Sequence, residues 1–274
     1  ARLANSVLTQ TDLSGAVLAG ASLGKAELAS ADLSEADLTR AIISGADFTG
    51  ATLAGADLSG IDLVHETIFV EADLSGIKAP ELYVLECDLS RATLAGADLQ
   101  KTAVLRSKME ETDLSGANLT ALQLIKVQAR GCRMPGATAT QLATALGSDF
   151  TGADFSGADL STANFRQAVL SSASFAQARL DSADFYEADL CGAQLQQVSA
   201  LQTRFIGANL TDAGLQQANF LGASFMGASL TRADMQGCQL YDTNALFAQC
   251  QGVLLEGARI TRCKLQQYAE EEQG

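Results

Sequence analysis

Ser44–Gly60 reads SGADFTGATLAGADLSG, which divides into SG-ADFTG-ATLAG-ADLSG. A large apolar residue returns at every fifth position, as Phe48, Leu53 and Leu58, and an alanine stands two residues before each. Five positions advance an α-helix by about 500°, so these side chains would spiral around it. On a continuous strand they would alternate between the two faces, because five is an odd number. Burying one such side chain contributes about 1.5–3 kcal/mol, so the pattern predicts a chain that turns a corner within every five residues.

Each five-residue unit is predicted to form one side of a coil. In Ala46–Gly50 the alanine and Phe48 are two positions apart, so they point to the same side of a short extended segment, and Asp47 points to solvent. The Thr-Gly pair that follows is typical of a turn and forms the corner. Coils stacked about 4.8 Å apart would pair their backbones as parallel strands do. The spacing alone does not fix the number of sides in a coil.

The five-residue repeat occupies nearly the whole chain in three registers. The first runs from Leu3 to Leu63, a one-residue slip follows at 64–68, the second register ends near Met134, and the third runs from Phe150 to Leu265. We therefore expect repeat units over 1–134 and 149–265, an irregular connection over 135–148 and a polar, acidic tail over 266–274. Within the connection Leu142 and Leu146 are four residues apart, which predicts a short helix over 140–146. The rod is expected to kink at 135–148 or to split there into two stacked tubes.

This A(D/N/S)(L/F)xx pattern resembles the pentapeptide-repeat family, and the resemblance covers nearly the whole chain. It implies an all-β fold, a right-handed quadrilateral parallel β-helix with four units in each coil. At the strand spacing, roughly twelve to thirteen coils would form a rod about 60 Å long. The resemblance also implies a bacterial, non-enzymatic protein. Some members of that family are spacers or interaction modules of larger adaptors, and others are acidic mimics of duplex DNA that bind type II topoisomerases such as gyrase.

Composition excludes several classes of function. The net charge of −14 disfavours direct binding of nucleic acid, which needs clustered Lys and Arg. His65 is the only histidine, so Ser-His-Asp and Cys-His catalytic groups and histidine metal clusters are excluded. Most aspartates occupy the outward slot of the repeat. We therefore expect no catalytic, cofactor or metal site. The apolar runs are too short for a membrane span, and six cysteines without a CxxC pair favour a reducing, cytoplasmic compartment.

Two functions agree with an acidic rod. The first is a structural or protein-interaction module whose unidentified partner contacts places where the repeat is interrupted, namely His65, Glu66, Pro80, Tyr83, Gln141 and Leu142. The alternative is a DNA mimic that inhibits or protects a type II topoisomerase. The acidic excess is seven in each of 1–134 and 135–274, and its even spread favours the first function. Because an open solenoid end exposes strand edges, we also expect an end-to-end dimer or an upstream domain at the N-terminal end.

Overall fold

The computed structural model describes residues 1–144 and 148–265, and these ranges contain parallel β-structure and turns but no helix. Five strands lie in chain order in one parallel sheet: β1 Leu63–His65, β2 Tyr83–Leu85, β3 Ala103–Leu105, β4 Gln123–Ile125 and β5 Ala143–Thr144. Two further parallel pairs join β6 Gln239–Tyr241 to β8 Arg259–Thr261 and β7 Asn244–Ala245 to β9 Lys264–Leu265. Elsewhere single residues bridge neighbouring coils.

One five-residue unit explains the whole coil. In Ala46–Gly50 the side chains of Ala46 and Phe48 are fully buried, whereas Asp47 bridges the backbones of Glu27 and Ile68 in the coils on either side. The N–H of Ala51 then donates to the carbonyl of Phe48 at 2.9 Å, which closes a turn over Thr49 and Gly50. Gly50 has a φ of 62°, as the third residue of a type II turn requires.

Four ladders of outward residues run along the molecule, and each rung lies 20 or 21 residues beyond the last. Ladder 1 begins at Arg2 and passes through β1–β5, and ladders 2, 3 and 4 begin at Val7, Asp12 and Val17. The predicted four-sided parallel β-helix is therefore confirmed. Its interior is one continuous column of alanines and large apolar residues that extends from Leu18 to Ala245.

Two single-residue insertions change the step between coils from 20 to 21 residues, at Asp47–Ile68 and at Gln128–Asp149. The first lies between the inward residues Ile61 and Thr67. The hydroxyl of Thr67 donates to the carbonyl of Ile43 at 3.2 Å, so the enlarged corner keeps its backbone satisfied. Ser148 Oγ donates in the same way to the carbonyl of Leu124 at the second insertion.

The described part of the region expected to be irregular, 135–144 and 148, belongs to the β-helix. Thr138 pairs with Asn118 and with Asp159, as the equivalent residues of other coils do. Thr140–Gln141 form a turn and Ala143–Thr144 form β5, so the predicted short helix is wrong in the described part of 140–146; 145–147 lie outside the described residues. The physical reason is that Leu142 fills an inward slot, where it is fully buried, and this burial outweighs a local i,i+4 pattern. The predicted tail 266–274 also lies outside the described residues.

The outward aspartates support the turns. Asp57 Oδ1 accepts the N–H of Ser59 at 2.9 Å, and Asn209 Oδ1 accepts the N–H of Thr211 at 3.2 Å in an equivalent slot. We therefore expect Asp57→Asn to change the free energy of unfolding by less than about 0.5 kcal/mol, and Asp57→Ala to lower it by about 1 kcal/mol. Urea denaturation of the three proteins measures both. If Asp57→Asn lowered the free energy of unfolding as much as Asp57→Ala, the charge of the carboxylate, and not its oxygen as a hydrogen-bond acceptor, would stabilise the corner.

Burial makes the cysteines differ in reactivity. Burial raises the pKa of the Cys132 thiol to about 12 and that of Cys238 to about 11. Partial burial also raises the pKa of the Cys250 thiol, but the Cys250 side chain is exposed to reagent. Because the thiolate is the reactive form, we expect iodoacetamide at pH about 8 to alkylate Cys250 in the folded protein and to leave Cys132 and Cys238 unmodified. Peptide mapping by mass spectrometry measures this, and labelling in urea is the control. Equal alkylation of Cys132 and Cys250 in the folded protein would contradict the buried position of Cys132.

Candidate protein-interaction face

The outward side of β1–β4 is apolar, in contrast to the aspartate-rich ladders. In each strand the middle residue is buried, as for Val64, Val84, Val104 and Leu124, so the residues on either side of it point outward. The outward residues are Leu63, His65, Tyr83, Leu85, Ala103, Leu105, Gln123 and Ile125, and we call this set the strand face. Leu63 and Tyr83 are 47% and 58% exposed. Leu63 and Tyr83 are neighbours in the register, and Leu85, Leu105 and Ile125 are partly exposed beside them, which favours an interaction site.

The local sequence explains why the strand face differs from the other sides. Asp or Asn is the commonest outward residue elsewhere in the chain, and its side chain caps the N–H two positions on, which favours a turn. In LVH, YVL, AVL and QLI that residue is Leu, Tyr, Ala or Gln, and an aliphatic residue or histidine follows the buried centre. These residues favour an extended backbone. The register pairs Leu63 with Tyr83, Tyr83 with Ala103 and Ala103 with Gln123, so the outward side chains form straight rows.

A charged rim borders the strand face on both sides. Glu66, Glu86, Arg106 and Lys126 follow the four strands, and Glu81 and Lys101 precede β2 and β3. Neighbouring charges pair along the rod: Arg106 Nη2 lies 2.9 Å from Glu86 Oε1, and Lys101 Nζ lies 3.0 Å from Glu81 Oε1. Along the rod axis the rim is acidic beside β1 and β2 and basic beside β3 and β4.

His65, Glu66 and Glu86 offer ligand atoms within 4.8 Å of one another, which is the geometry of a possible cation site. However, Glu86 already contacts Arg106 through Oε1 and lies 3.2 Å from His65 Nε2 through Oε2. These side chains are substantially exposed, and the guanidinium supplies the positive charge that a metal ion would bring. Glu86 is therefore already held by an ion pair with Arg106 and a hydrogen-bond contact with His65.

The structure unites some of the predicted contact residues and separates others. His65 and Tyr83 lie on the strand face and Glu66 lies on its rim. Pro80 and Gln141 lie in turns at the corner that precedes the strands. Leu142 is fully buried, so its prediction as a contact residue is wrong: the residue fills the core slot of its unit. Ile77–Glu86 is also regular, with Pro80 in the second position of its turn, where proline is favoured.

Sequence reasoning missed most of the strand face. Leu63, Leu85, Ala103, Leu105 and Ile125 were not selected, because their common position appears only when units one coil apart are compared. The available signal was the recurrence of apolar triplets at 20-residue intervals in LVH, YVL, AVL and QLI. In the part of the chain that the structure describes, no helix has the length and apolar character of a membrane span.

Sequence comparison agrees with this architecture. Profiles described as pentapeptide repeats (8 copies) match residues 1–34, 31–65, 67–102 and 148–185, and one described as a pentapeptide repeat region matches 168–245. The chain belongs to the pentapeptide repeat family. A comparison with curated protein sequences gives no match.

Solved structures of pentapeptide repeat proteins resemble the chain. HetL from the cyanobacterium Nostoc sp. strain PCC 7120, involved in regulation of heterocyst differentiation, is 24% identical over 98% of this chain and 92% of its own, with a TM-score of 0.27. QnrB1, a plasmid-mediated fluoroquinolone resistance protein, is 18% identical over 71% of this chain and 85% of its own, with a TM-score of 0.32. These scores carry no argument about function. The pentapeptide repeat fold supports a structural or interaction module without identifying a partner.

Proposed function

We propose that this pentapeptide repeat protein is a non-enzymatic rigid rod that binds another protein chain through the strand face. The observation that carries the proposal is the apolar surface of β1–β4, with Tyr83 at 58% and Leu63 at 47% exposure. Solvent-exposed aromatic and aliphatic side chains gain free energy when a partner covers them. The charged rim would set the orientation of that partner, because complementary charges specify register more than they add affinity.

The rod around the strand face suits this role. Backbone hydrogen bonds join successive coils along the described chain, and the core beneath the strand face is one apolar column. A docking surface on such a scaffold is held in one conformation, which lowers the entropic cost of binding. We also propose a reducing, cytoplasmic location, because all six cysteines are free thiols.

A photo-crosslinker tests the proposed function. We expect p-benzoylphenylalanine in place of Tyr83 to form covalent adducts with protein when the chain is irradiated in cells of its source organism. The matched control carries the same group in place of Thr93, an outward residue of ladder 3 that lies one half-coil further along. Adducts at position 83 and none at position 93 support the proposal. No adduct at 83, or equal yields at both positions, would reject it.

The acidic DNA mimic is the second candidate, and one observation favours it. Ladder 3 carries aspartates along much of the rod, at Asp12, Asp32, Asp73, Asp113, Asp154 and Asp234. Hydrogen bonds from the Ser14 hydroxyl and backbone lower the pKa of Asp12, so this carboxylate is ionised at neutral pH. However, Thr52, Thr93 and Arg133 interrupt the row, and Arg133 lies 3.8 Å from Asp113. A mimic of the phosphate backbone needs a continuous row, so this function ranks second.

A gyrase supercoiling assay tests the mimic. If the second candidate is correct, the purified rod inhibits supercoiling or protects the enzyme from a quinolone, and Asp32→Asn/Asp73→Asn/Asp113→Asn weakens that effect. Because asparagine retains the turn acceptor, these substitutions remove charge and leave the fold intact. No effect of the parent rod on gyrase would exclude this candidate.

A further inference from the structure

We propose that the occupant of the strand face is a second copy of this chain, bound antiparallel and face to face. This inference rests on the proposed function and names its partner. Two observations carry it: the order of charges along the rim, and the position of the small residue Ala103 beside the large, exposed Tyr83.

The rim charges are self-complementary in one arrangement. A two-fold axis parallel to the strands, passing between β2 and β3, reverses the order of coils and places each rim against the same rim of the second copy. Glu86 then faces Arg106 of the second copy, Glu66 faces Lys126, and Glu81 faces Lys101. The axis repeats every contact, as a closed isologous dimer requires. All of the opposed rim pairs attract.

The other face-to-face arrangement is disfavoured by the same charges. A two-fold axis parallel to the rod axis would place each coil against the same coil of the second copy. The rim that follows the strands would then lie against the rim that precedes them. Glu86 would then face Glu81 of the second copy, and Arg106 would face Lys101. Like charges in close contact cost free energy and select against a wrong orientation. The rim therefore specifies the antiparallel dimer.

The shapes of the side chains agree with the antiparallel arrangement. Tyr83 is 58% exposed, whereas Ala103, its neighbour in the same row, is only 5% exposed. The axis places Tyr83 over Ala103 of the second copy, so each ring meets a small residue and not a second large side chain. Leu85 meets Leu105, and His65 meets Ile125, in the adjoining row. A large side chain opposite a small one, as Tyr83 is opposite Ala103, allows the two faces to approach closely.

The size of the strand face sets the expected affinity. Four strands about 4.8 Å apart cover much less than the roughly 800 Å² that each partner contributes to a standard interface. We therefore expect a dissociation constant on the order of 1–100 µM. A measurement must extend to several hundred micromolar, as an order of magnitude, to populate the dimer.

Sedimentation velocity tests the dimer in purified protein. The parent chain is expected to pass from its 28.5 kDa monomer to twice that mass as the concentration rises. Glu86→Arg places arginines against Arg106 of the second copy at two symmetric positions, so we expect dimerisation to weaken at least tenfold. Glu86→Arg/Arg106→Glu exchanges the charges and restores both the pair within the chain and the pair between copies. This double variant is expected to dimerise within about threefold of the parent.

A single charge reversal elsewhere on the rod controls for the general effect of changing the net charge. Glu71 and Arg91 form an equivalent pair at 2.9 Å on another corner, so Glu71→Arg is expected to leave dimerisation unchanged. Thermal unfolding of every variant separates loss of dimer from loss of fold. A parent chain that stays monomeric throughout, or a double variant no better than Glu86→Arg, would overturn the inference.

The crosslinker at position 83 distinguishes the failure of this inference from that of the proposed function. Adducts of twice the chain mass support the second copy. Adducts of another mass, together with a monomer in sedimentation, overturn the inference but leave the proposed function standing. If position 83 gives no adduct of any mass, the proposed function fails as well.

Discussion

Leu53→Asp is expected to lower the free energy of unfolding by at least about 4 kcal/mol, because it places a carboxylate inside a dry column. Leu53 is fully buried between Leu33 and Leu74, the inward residues of the neighbouring coils on the same side. The inward residues before and after Leu53 in the chain, Ala51 and Ala56, are buried alanines whose side chains offer no hydrogen-bonding group. Urea denaturation followed by circular dichroism measures the loss.

The control for this prediction is Leu53→Met, which keeps the volume and apolar character and is expected to cost less than about 1.5 kcal/mol. In a solenoid each coil contacts only its neighbours, so the damage in Leu53→Asp is expected to separate the coils before Leu53 from those after it. An unfolding curve of Leu53→Asp that coincides with that of the parent would contradict the inward position of the five-residue centres.

The Leu53→Asp variant should also depend on pH in a defined direction. Burial raises the pKa of a carboxyl group, so the folded state of the variant prefers the neutral acid. A group with a raised pKa in the folded state is tolerated best below its unfolded pKa, and the folded state loses stability as the pH rises above it. The destabilisation relative to the parent is therefore expected to be smaller at pH about 4 than at pH about 7. Comparison with the parent removes the contribution of the native aspartates.

The five-residue spacing determined much of the fold, because alternation and turn preference act within a single unit. Ala46, Phe48 and Asp47 take the positions that the sequence predicts. The number of sides did not follow from spacing, because it depends on the angle at each corner, and only the resemblance to a known family supplied it. The helix predicted over 140–146 failed because a local i,i+4 pattern was given more weight than the inward slot of Leu142.

The candidate site was less predictable than the fold, because it depends on residues 20 positions apart. Tyr83 and His65 were selected individually, but Leu85 and Leu105 occupy a position that is a turn in most units. Nothing in a single unit reveals that these side chains form a row. Reading the chain at the period of the coil brings them together, and the same period reveals the reversal of rim charge from Glu86 to Arg106.

Phe185→Ala is expected to lower the free energy of unfolding by about 3–5 kcal/mol, near the upper end for a phenylalanine in a core. The ring of Phe185 is fully buried and stacks on Phe165 and on Phe205, with centroids 5.1 Å away in both cases. It also meets Phe175 edge-on at 5.7 Å and 89°. Each aromatic pair contributes about 0.5–1.5 kcal/mol beyond area burial. The paired backbones of the coils prevent collapse into the cavity.

Phe48→Ala is the matched comparison, since Phe48 is equally buried but stacks on one described ring, Phe69, at 5.2 Å. Phe48→Ala is expected to lose less free energy of unfolding than Phe185→Ala, by about 1 kcal/mol or more, because Phe48 makes two fewer ring contacts than Phe185. Urea denaturation measures both losses. Phe185→Leu should recover most of the loss, because leucine is the usual centre of the neighbouring units, as at Leu180 and Leu190. Equal losses in Phe48→Ala and Phe185→Ala would show that volume alone stabilises the column, and that the stacked rings add nothing.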